Sequence, residues 1–265
     1  MRMQYSEGLT KHRMNQAKRI TKNITKNHKA TLIQSFLEIQ KQLRNLSNQL
    51  YVQAFCAIEL LYKVIQKATL YYAQRRPEEL AEFYWTIDAK DQKITPYEEL
   101  WSKIITPMLQ SKSLEEPFIQ LDGADYSYFS KYFGVKPEPP EHLKTVVSGK
   151  KPFNYVEIKE IYHSNLRFEQ LHKNYGLQII DILTNAIRRA MNGNLQISGW
   201  SQIGKLMVQS ERGSQAIQLL NFSGKKPIDY KGVNPPYWNV LPIIERTCKP
   251  ILIGEFISYC SPQIF

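Results

Sequence analysis

Residues 175 to 193 read Tyr-Gly-Leu-Gln-Ile-Ile-Asp-Ile-Leu-Thr-Asn-Ala-Ile-Arg-Arg-Ala-Met-Asn-Gly. Leu177, Ile180, Leu183, Ile187 and Met191 recur at three- and four-residue steps, which predicts a helix burying one stripe, with Gly193 as its C-cap. Gln178, Asp181, Asn185 and Arg188 fall in one row at the same spacing, a narrow polar file beside the apolar face. Asp181 stands between isoleucines. Asp costs up to ~0.7 kcal/mol against Ala in a helix interior, and an unpaired buried carboxylate costs several kcal/mol more, so something must compensate it. Two readings are open. Asp181 pairs with Arg188, Arg189 or a distant Lys, or faces water on the helix edge; or it holds a metal cation or a catalytic proton in a cleft.

On the amino side of this helix, residues 155–173 contain Glu157, Glu160, His163, Glu169 and His172. Glu169 and His172 stand at the i, i+3 spacing that some helical metal sites use, a spacing equally common in solvent-facing charge patterns. On its carboxyl side, Trp200, Ile203, Leu206 and Met207 predict another amphipathic helix within 194–208.

Further back, residues 82–88 alternate, with Phe83, Trp85 and Ile87 on one side and Tyr84, Thr86 and Asp88 on the other. This is the clearest strand in the chain, and it ends in Asp88-Ala89-Lys90-Asp91. Sites in open α/β sheets gather where strands end; the plainer role of Asp88 and Asp91 is to open the following turn. Thr95, Pro96 and Glu98 spell a capping box for a helix to about residue 110. A short strand is expected around 118–121, a short aromatic helix from Asp125, and a proline-rich loop over 134–152.

Two strongly apolar helices are predicted at about 30–46 and 49–75, the second stopping before Pro77. Residues 1–28 read as a basic, flexible or weakly helical arm. Residues 29–222 read as the α/β domain, and 223–265 as a Gly/Pro-rich extension packing on it. Within that extension, 240–244 and 251–257 are apolar runs suited to edge strands or a packing arm. The formal charge is +11, and residues 1–29 alone hold eight Lys or Arg against one acid, Glu7. Such a segment suits nucleic acid phosphates or, equally, a solvated tail.

The three Cys are widely spaced, without a CxxC pair, so no disulfide framework or zinc site is indicated and a reducing, cytoplasmic setting is expected. No apolar run is long enough to span a membrane. Phosphate-cradling glycine motifs, a nucleophile elbow and HExxH are all absent. What remains, carboxylates at a strand end and on a polar helical file in a basic protein, suits Mg²⁺ or Mn²⁺ and a polyanionic substrate.

Gly176-Leu-Gln-Ile-Ile-Asp-Ile-Leu183 followed by Ala186-Ile-Arg-Arg-Ala190 resembles the C-terminal signature of the domain-of-unknown-function 3800 family, in which a Gln-x-x-Asp pair opens a long helix. Tyr84-Trp-Thr-Ile-Asp88 resembles that family's central strand, and the likeness covers roughly residues 51–208. The resemblance implies a ribonuclease-H-like α/β fold, a mixed sheet flanked by helices, in which acids from a first strand, a central strand and a late helix bind two divalent ions. It makes Asp88 the strand ligand and Asp181 the helix ligand, both catalytic, with Gln178 beside them and Asn185 and Asp91 in support. The family's opening strand and Asp-Glu-Ser-Gly-like motif have no counterpart here, since Tyr5-Ser6-Glu7-Gly8 lacks both the apolar run and the Asp. The function implied is a divalent-metal-dependent nuclease, truncated or inactive in the absence of that strand. The alternative is a non-catalytic nucleic-acid-binding or protein-interaction module. The oligomeric state is not legible.

Overall fold

The computed structural model describes residues 2–22, 30–116, 118–136, 153–162, 165–209, 216–220, 222, 237–253 and 263–264. Its centre is a long helix, α3 (Asn48–Ala73), started by the Ser47 side chain, which accepts a hydrogen bond from the Leu50 N–H. Tyr51, Ala54, Ile58, Leu61, Tyr62, Ile65, Thr69 and Ala73 are buried along it at three- and four-residue steps. Each large apolar side chain removed from water in this way contributes about 1.5–3 kcal/mol.

α1 (Arg2–Lys22) packs on α3, and α2 (Ala30–Asn45) packs on α1 and on the turn Trp101–Ile105. The basic amino-terminal arm expected from the sequence is therefore, over 2–22, a docked helix. Leu9 and Ala17 are fully buried, Ile20 packs beside them, and the His12 ring lies edge-on to Phe55 and Phe222. Gln40 ties α2 to α1 through the Ala17 carbonyl and the Thr21 hydroxyl, and the Arg13 guanidinium donates to the Leu46 carbonyl. So few apolar residues suffice because the stems of Arg13 and His12 complete the buried stripe.

α3 also packs on a helix that runs through three registers: α4 (Pro96–Leu100), a π turn (Trp101–Ile105) and α5 (Thr106–Glu115). The cause of the π turn is Pro107, which has no N–H to donate and whose ring would strike the carbonyl one turn back. Widening the turn relieves that clash, and Thr106 closes it by donating its N–H and its hydroxyl to the Trp101 carbonyl. Against this helix stand α6 (Ile158–Tyr162) and the strands β1 (Trp85–Asp88) and β5 (Leu166–Glu169).

The chain is mixed α/β and mostly helical. Among the described residues the strands do not join into the single mixed sheet expected; they form four separate pairs. β1 and β5 are parallel, and β3 (Phe133–Lys136) pairs antiparallel with β4 (Phe153–Val156). β2 (Ile119–Gln120) pairs antiparallel with β8 (Gln263–Ile264), and β6 (Val208–Gln209) runs parallel to β7 (Lys249–Pro250).

The 175–193 stretch is α7 (Tyr175–Met191), as its periodicity predicts. Gly193 takes φ 74°, its N–H bonds the Ala190 carbonyl, and the Asn194 N–H bonds the Arg189 carbonyl, which is a Schellman stop. Of the stripe expected to be buried, Leu177, Leu183, Ile187 and Met191 are half-buried and Ile180 is exposed; at the carboxyl end Met191, with Ala190, meets Trp200 and α8 (Tyr237–Thr247). Two further expectations are corrected there. Residues 240–244, expected as an edge strand or packing arm, lie within α8, because Val240, Leu241 and Ile244 bury one helical face. The amphipathic helix expected over 194–208 is instead two 3₁₀ turns, Ile197–Gly199 and Ile203–Leu206. Gly204 lies so close to α8 that any Cβ would overlap the Ile244 carbonyl and the Thr247 hydroxyl. Residues 137–152, His163, 223–236, 254–257 and Cys260, for which the sequence also gives expectations, lie outside the described residues.

Tyr162 joins the layers: it stacks on Trp101 at 5.9 Å and 12° and lies 5.6 Å from Trp85. Its side chain is buried, and its hydroxyl has no hydrogen-bond partner among the described residues. Burial pushes that phenol far above its ordinary pKa. Removing an unpaired buried hydroxyl while keeping the ring returns its desolvation cost. Tyr162→Phe is expected to raise stability by about 1 kcal/mol, seen as a thermal midpoint higher by about 2 °C; a drop of similar size would show that the hydroxyl is bonded.

Candidate functional site

Parallel pairing fixes the geometry around Asp88. Register sets Trp85 against Leu166, Ile87 against Phe168 and Asp88 against Glu169. The Trp85 N–H bonds the Asn165 carbonyl at 3.0 Å, and the Ala89 N–H bonds the Glu169 carbonyl at 2.9 Å. Paired residues of a parallel ladder point to the same face, so two carboxylates stand side by side where both strands end. The sequence reading placed Asp88 here and missed its neighbour, because Glu169 belongs to a strand rather than to the helix its spacing with His172 suggested. His172 lies in a 3₁₀ turn, Leu171–Lys173, and is exposed.

Glu169 is held in place. Its Oε2 accepts from Asn174 Nδ2 at 2.7 Å, while Asn174 Oδ1 caps α7 by accepting from the Leu177 N–H at 3.1 Å. Gln178 sits one turn on and donates to the Leu171 carbonyl at 3.2 Å, which fastens the strand-to-helix turn. Its observed role is thus structural. The helix also touches β1.

Asp181 is exposed, on the polar file of α7, and its partner is Asn185, whose Nδ2 donates to Oδ1 at 3.1 Å. Arg188 in turn donates to Asn185 Oδ1 at 3.0 Å. Asp181 thus keeps an i+4 amide partner on an exposed surface, and among the described residues neither arginine is bonded to it directly. Asp91 is exposed and accepts from the Gln92 N–H at 2.6 Å, a turn-opening role. Among the described residues, no group of three or more His, Cys, Asp or Glu is placed to hold a metal ion. The structure therefore brings Asp88 to Glu169 but adds no third ligand.

The turn after Asp88 is pinned by Glu98, which is buried at the head of α4. Its Oε1 accepts from the Lys90 N–H at 2.9 Å, and its Oε2 accepts from the Thr95 N–H at 2.8 Å and from the Thr95 hydroxyl. Lys90 Nζ lies over the Tyr97 ring at 5.1 Å. Burial pushes the Glu98 carboxyl up, but these hydrogen bonds outweigh burial and hold it below the usual carboxylate range.

A second polar surface lies on the α1–α2 hairpin. Lys11, Lys18 and Arg19 are exposed on α1, as are Lys41 and Arg44 on α2. Among the described residues, no ion pair engages Lys11, Lys18, Lys41 or Arg44. Beneath it, His12 Nδ1 meets the Tyr51 hydroxyl at 2.5 Å. Burial, and then the charge of Arg19, lower the His12 pKa, so the ring is neutral at pH 7. No helix is long and apolar enough to cross a membrane among the described residues.

Because the Glu98 pKa is lower folded than unfolded, its stabilisation is complete above the unfolded value near 4.3 and is lost as pH falls through the folded value. Glu98→Gln is expected to cost about 1.5–3 kcal/mol at pH 7, and the difference from the parent should close as pH drops below about 4. Parallel acid-unfolding curves for the two proteins would contradict this. No protein-family model, curated protein or solved structure matches the chain.

Proposed function

We propose that this chain is a ribonuclease-H-like protein, of the kind its resemblance to the domain-of-unknown-function 3800 family implies, acting on nucleic acid phosphodiesters with Mg²⁺ or Mn²⁺. The observation that supports this best is the parallel pair β1–β5, which sets Asp88 beside Glu169 and leads straight into the helix carrying Gln178 and Asp181. Mg²⁺ takes one or two carboxylates and keeps water in its remaining positions. Asp88 and the free oxygen of Glu169 fit one such cation and fall short of the two-ion set the resemblance implies. When bound, the cation supplies Lewis-acid activation of the phosphodiester. The protein's own part is positional: Asn174 and the Ala89–Glu169 backbone bond hold the two carboxylates, and Glu98 holds the turn bearing Lys90.

A second reading, a non-catalytic nucleic-acid-binding module, is favoured by the exposed Lys11, Lys18, Lys41 and Arg44 of the α1–α2 hairpin, which make no ion pair among the described residues. Lys11 and Lys18 stand seven residues apart on one face of α1. Neutralising a phosphate releases condensed counterions, so binding through these groups is steeply salt-dependent.

One set of assays separates the two. Single-stranded, duplex and hybrid oligonucleotides are incubated with the purified protein in Mg²⁺ or Mn²⁺. On the first reading, cleavage falls by about 100-fold or more in Asp88→Asn while binding is kept. Cleavage unchanged in that variant would refute it, and binding without cleavage leaves the second reading. On the second, Lys11→Gln with Lys18→Gln lowers the slope of log affinity against log salt by about 2. An unaltered slope would remove the hairpin from the interface.

A further inference from the structure

The amino-terminal half of α7 carries an uncovered apolar stripe. Tyr175, Ile179 and Ile182 are 83%, 57% and 67% exposed, and they follow one another at steps of four and three residues. Ala186, half-buried, continues the row at the next step of four. This is the seam spacing of a coiled coil, too short in sequence to register as a heptad pattern. It is distinct from the Asp181–Asn185–Arg188 file, which lies about a third of a turn away around the helix. It is also separate from the buried carboxyl end, where Ala190 meets Trp200.

We propose that this stripe docks on the same stripe of a second copy of the chain, with the two α7 helices antiparallel. The reason for choosing a second copy is that the row is complementary to itself. Antiparallel pairing about the midpoint between Ile179 and Ile182 sets each Ile179 against the other copy's Ile182. The same pairing sets each Tyr175, the largest side chain of the row, against the other copy's Ala186, the smallest. Facing large side chains with small ones is what lets two helices interdigitate without a void. A parallel arrangement would instead set Tyr175 on Tyr175 and Ala186 on Ala186, crowding one end and leaving a gap at the other. The antiparallel arrangement also opposes the two helix dipoles and satisfies the two-fold rule that the same patch serves both partners.

The area agrees with a weak, specific contact. The three exposed side chains and their flanks leave roughly 500 Å² open on each copy, hence about 1,000 Å² in the pair, at the lower limit for a specific interface. Association on the order of 10 µM is the expected strength.

Sedimentation equilibrium on the full chain tests this over about 1 to 200 µM. A monomer–dimer equilibrium is expected, with Ile182→Asp raising the dissociation constant about 100-fold or more and Ile182→Leu leaving it within a few-fold. The far-UV circular dichroism of Ile182→Asp stays that of the parent, because the side chain is exposed. Orientation is read by oxidation: an equimolar mixture of Ile179→Cys and Ile182→Cys chains cross-links faster than either variant alone, above the background of the native cysteines. A monomer at every concentration, a dimer indifferent to Ile182→Asp, or single variants that cross-link as well as the mixture would each overturn the proposal.

Discussion

The contact on which the molecule depends is the packing of Tyr162 between Trp85 and Trp101. Tyr162 ends a one-turn helix, Trp85 begins the strand that ends in Asp88, and Trp101 opens the π turn. Their rings join three segments that no regular ladder connects. The Trp85 indole N–H adds a bond to the Ile161 carbonyl at 3.0 Å, so the strand is fixed to α6 by a polar contact as well as an aromatic one. Parallel strand pairs are stable only when covered, and a pair of four-residue strands has little ladder energy of its own. It is the aromatic layer, backed by Phe83, Tyr97 and Phe168, that keeps β1 and β5 together.

From that anchor the site follows. Pro107 widens the helix at Trp101, which seats the indole against Tyr162; the same helix begins at Thr95, whose capping partner Glu98 reaches back to the turn after Asp88. Asn174 does the same for the other strand, capping α7 with its oxygen while its nitrogen holds Glu169. Each carboxylate is thus positioned by the start of a helix, and each helix start depends on a side chain that bonds both the helix and the strand turn.

What could be read from the chain was whatever rests on local rules. The helices α2 and α3, the Thr95 capping box, the strand at Trp85 and the glycine stop after α7 all follow from spacing and turn chemistry within a few residues. What escaped depends on distant partners. Leu166 to Glu169 is a strand only because Trp85 to Asp88 lies beside it, so the partner of Asp88 was hidden although Asp88 itself was legible. The docking of α1 was hidden because it buries few apolar residues, Leu9, Ala17 and Ile20, with the polar His12 and Arg13 beside them. Residues 194–208 were read as holding one helix because their apolar spacing is helical, whereas the close approach of Gly204 to α8 decides otherwise. For Asp181, periodicity correctly separated a polar file from an apolar face. How far the apolar face would be covered was not a property of the helix: it is half-buried at Leu177, Leu183, Ile187 and Met191 and exposed at Ile180.

Chemically, the chain offers two carboxylates at a strand end and a basic hairpin of α1 and α2. The account stands on the first, the parallel alignment that brings Asp88 to Glu169. Amide hydrogen exchange by nuclear magnetic resonance tests it most directly, at Trp85 and Ala89, whose N–H groups bond the Asn165 and Glu169 carbonyls. Protection of both amides comparable to that of the buried α3 amides is the predicted result. Exchange at the rate of an unstructured peptide, with α3 still protected, would mean that the two strands do not pair and that the carboxylates are not held together.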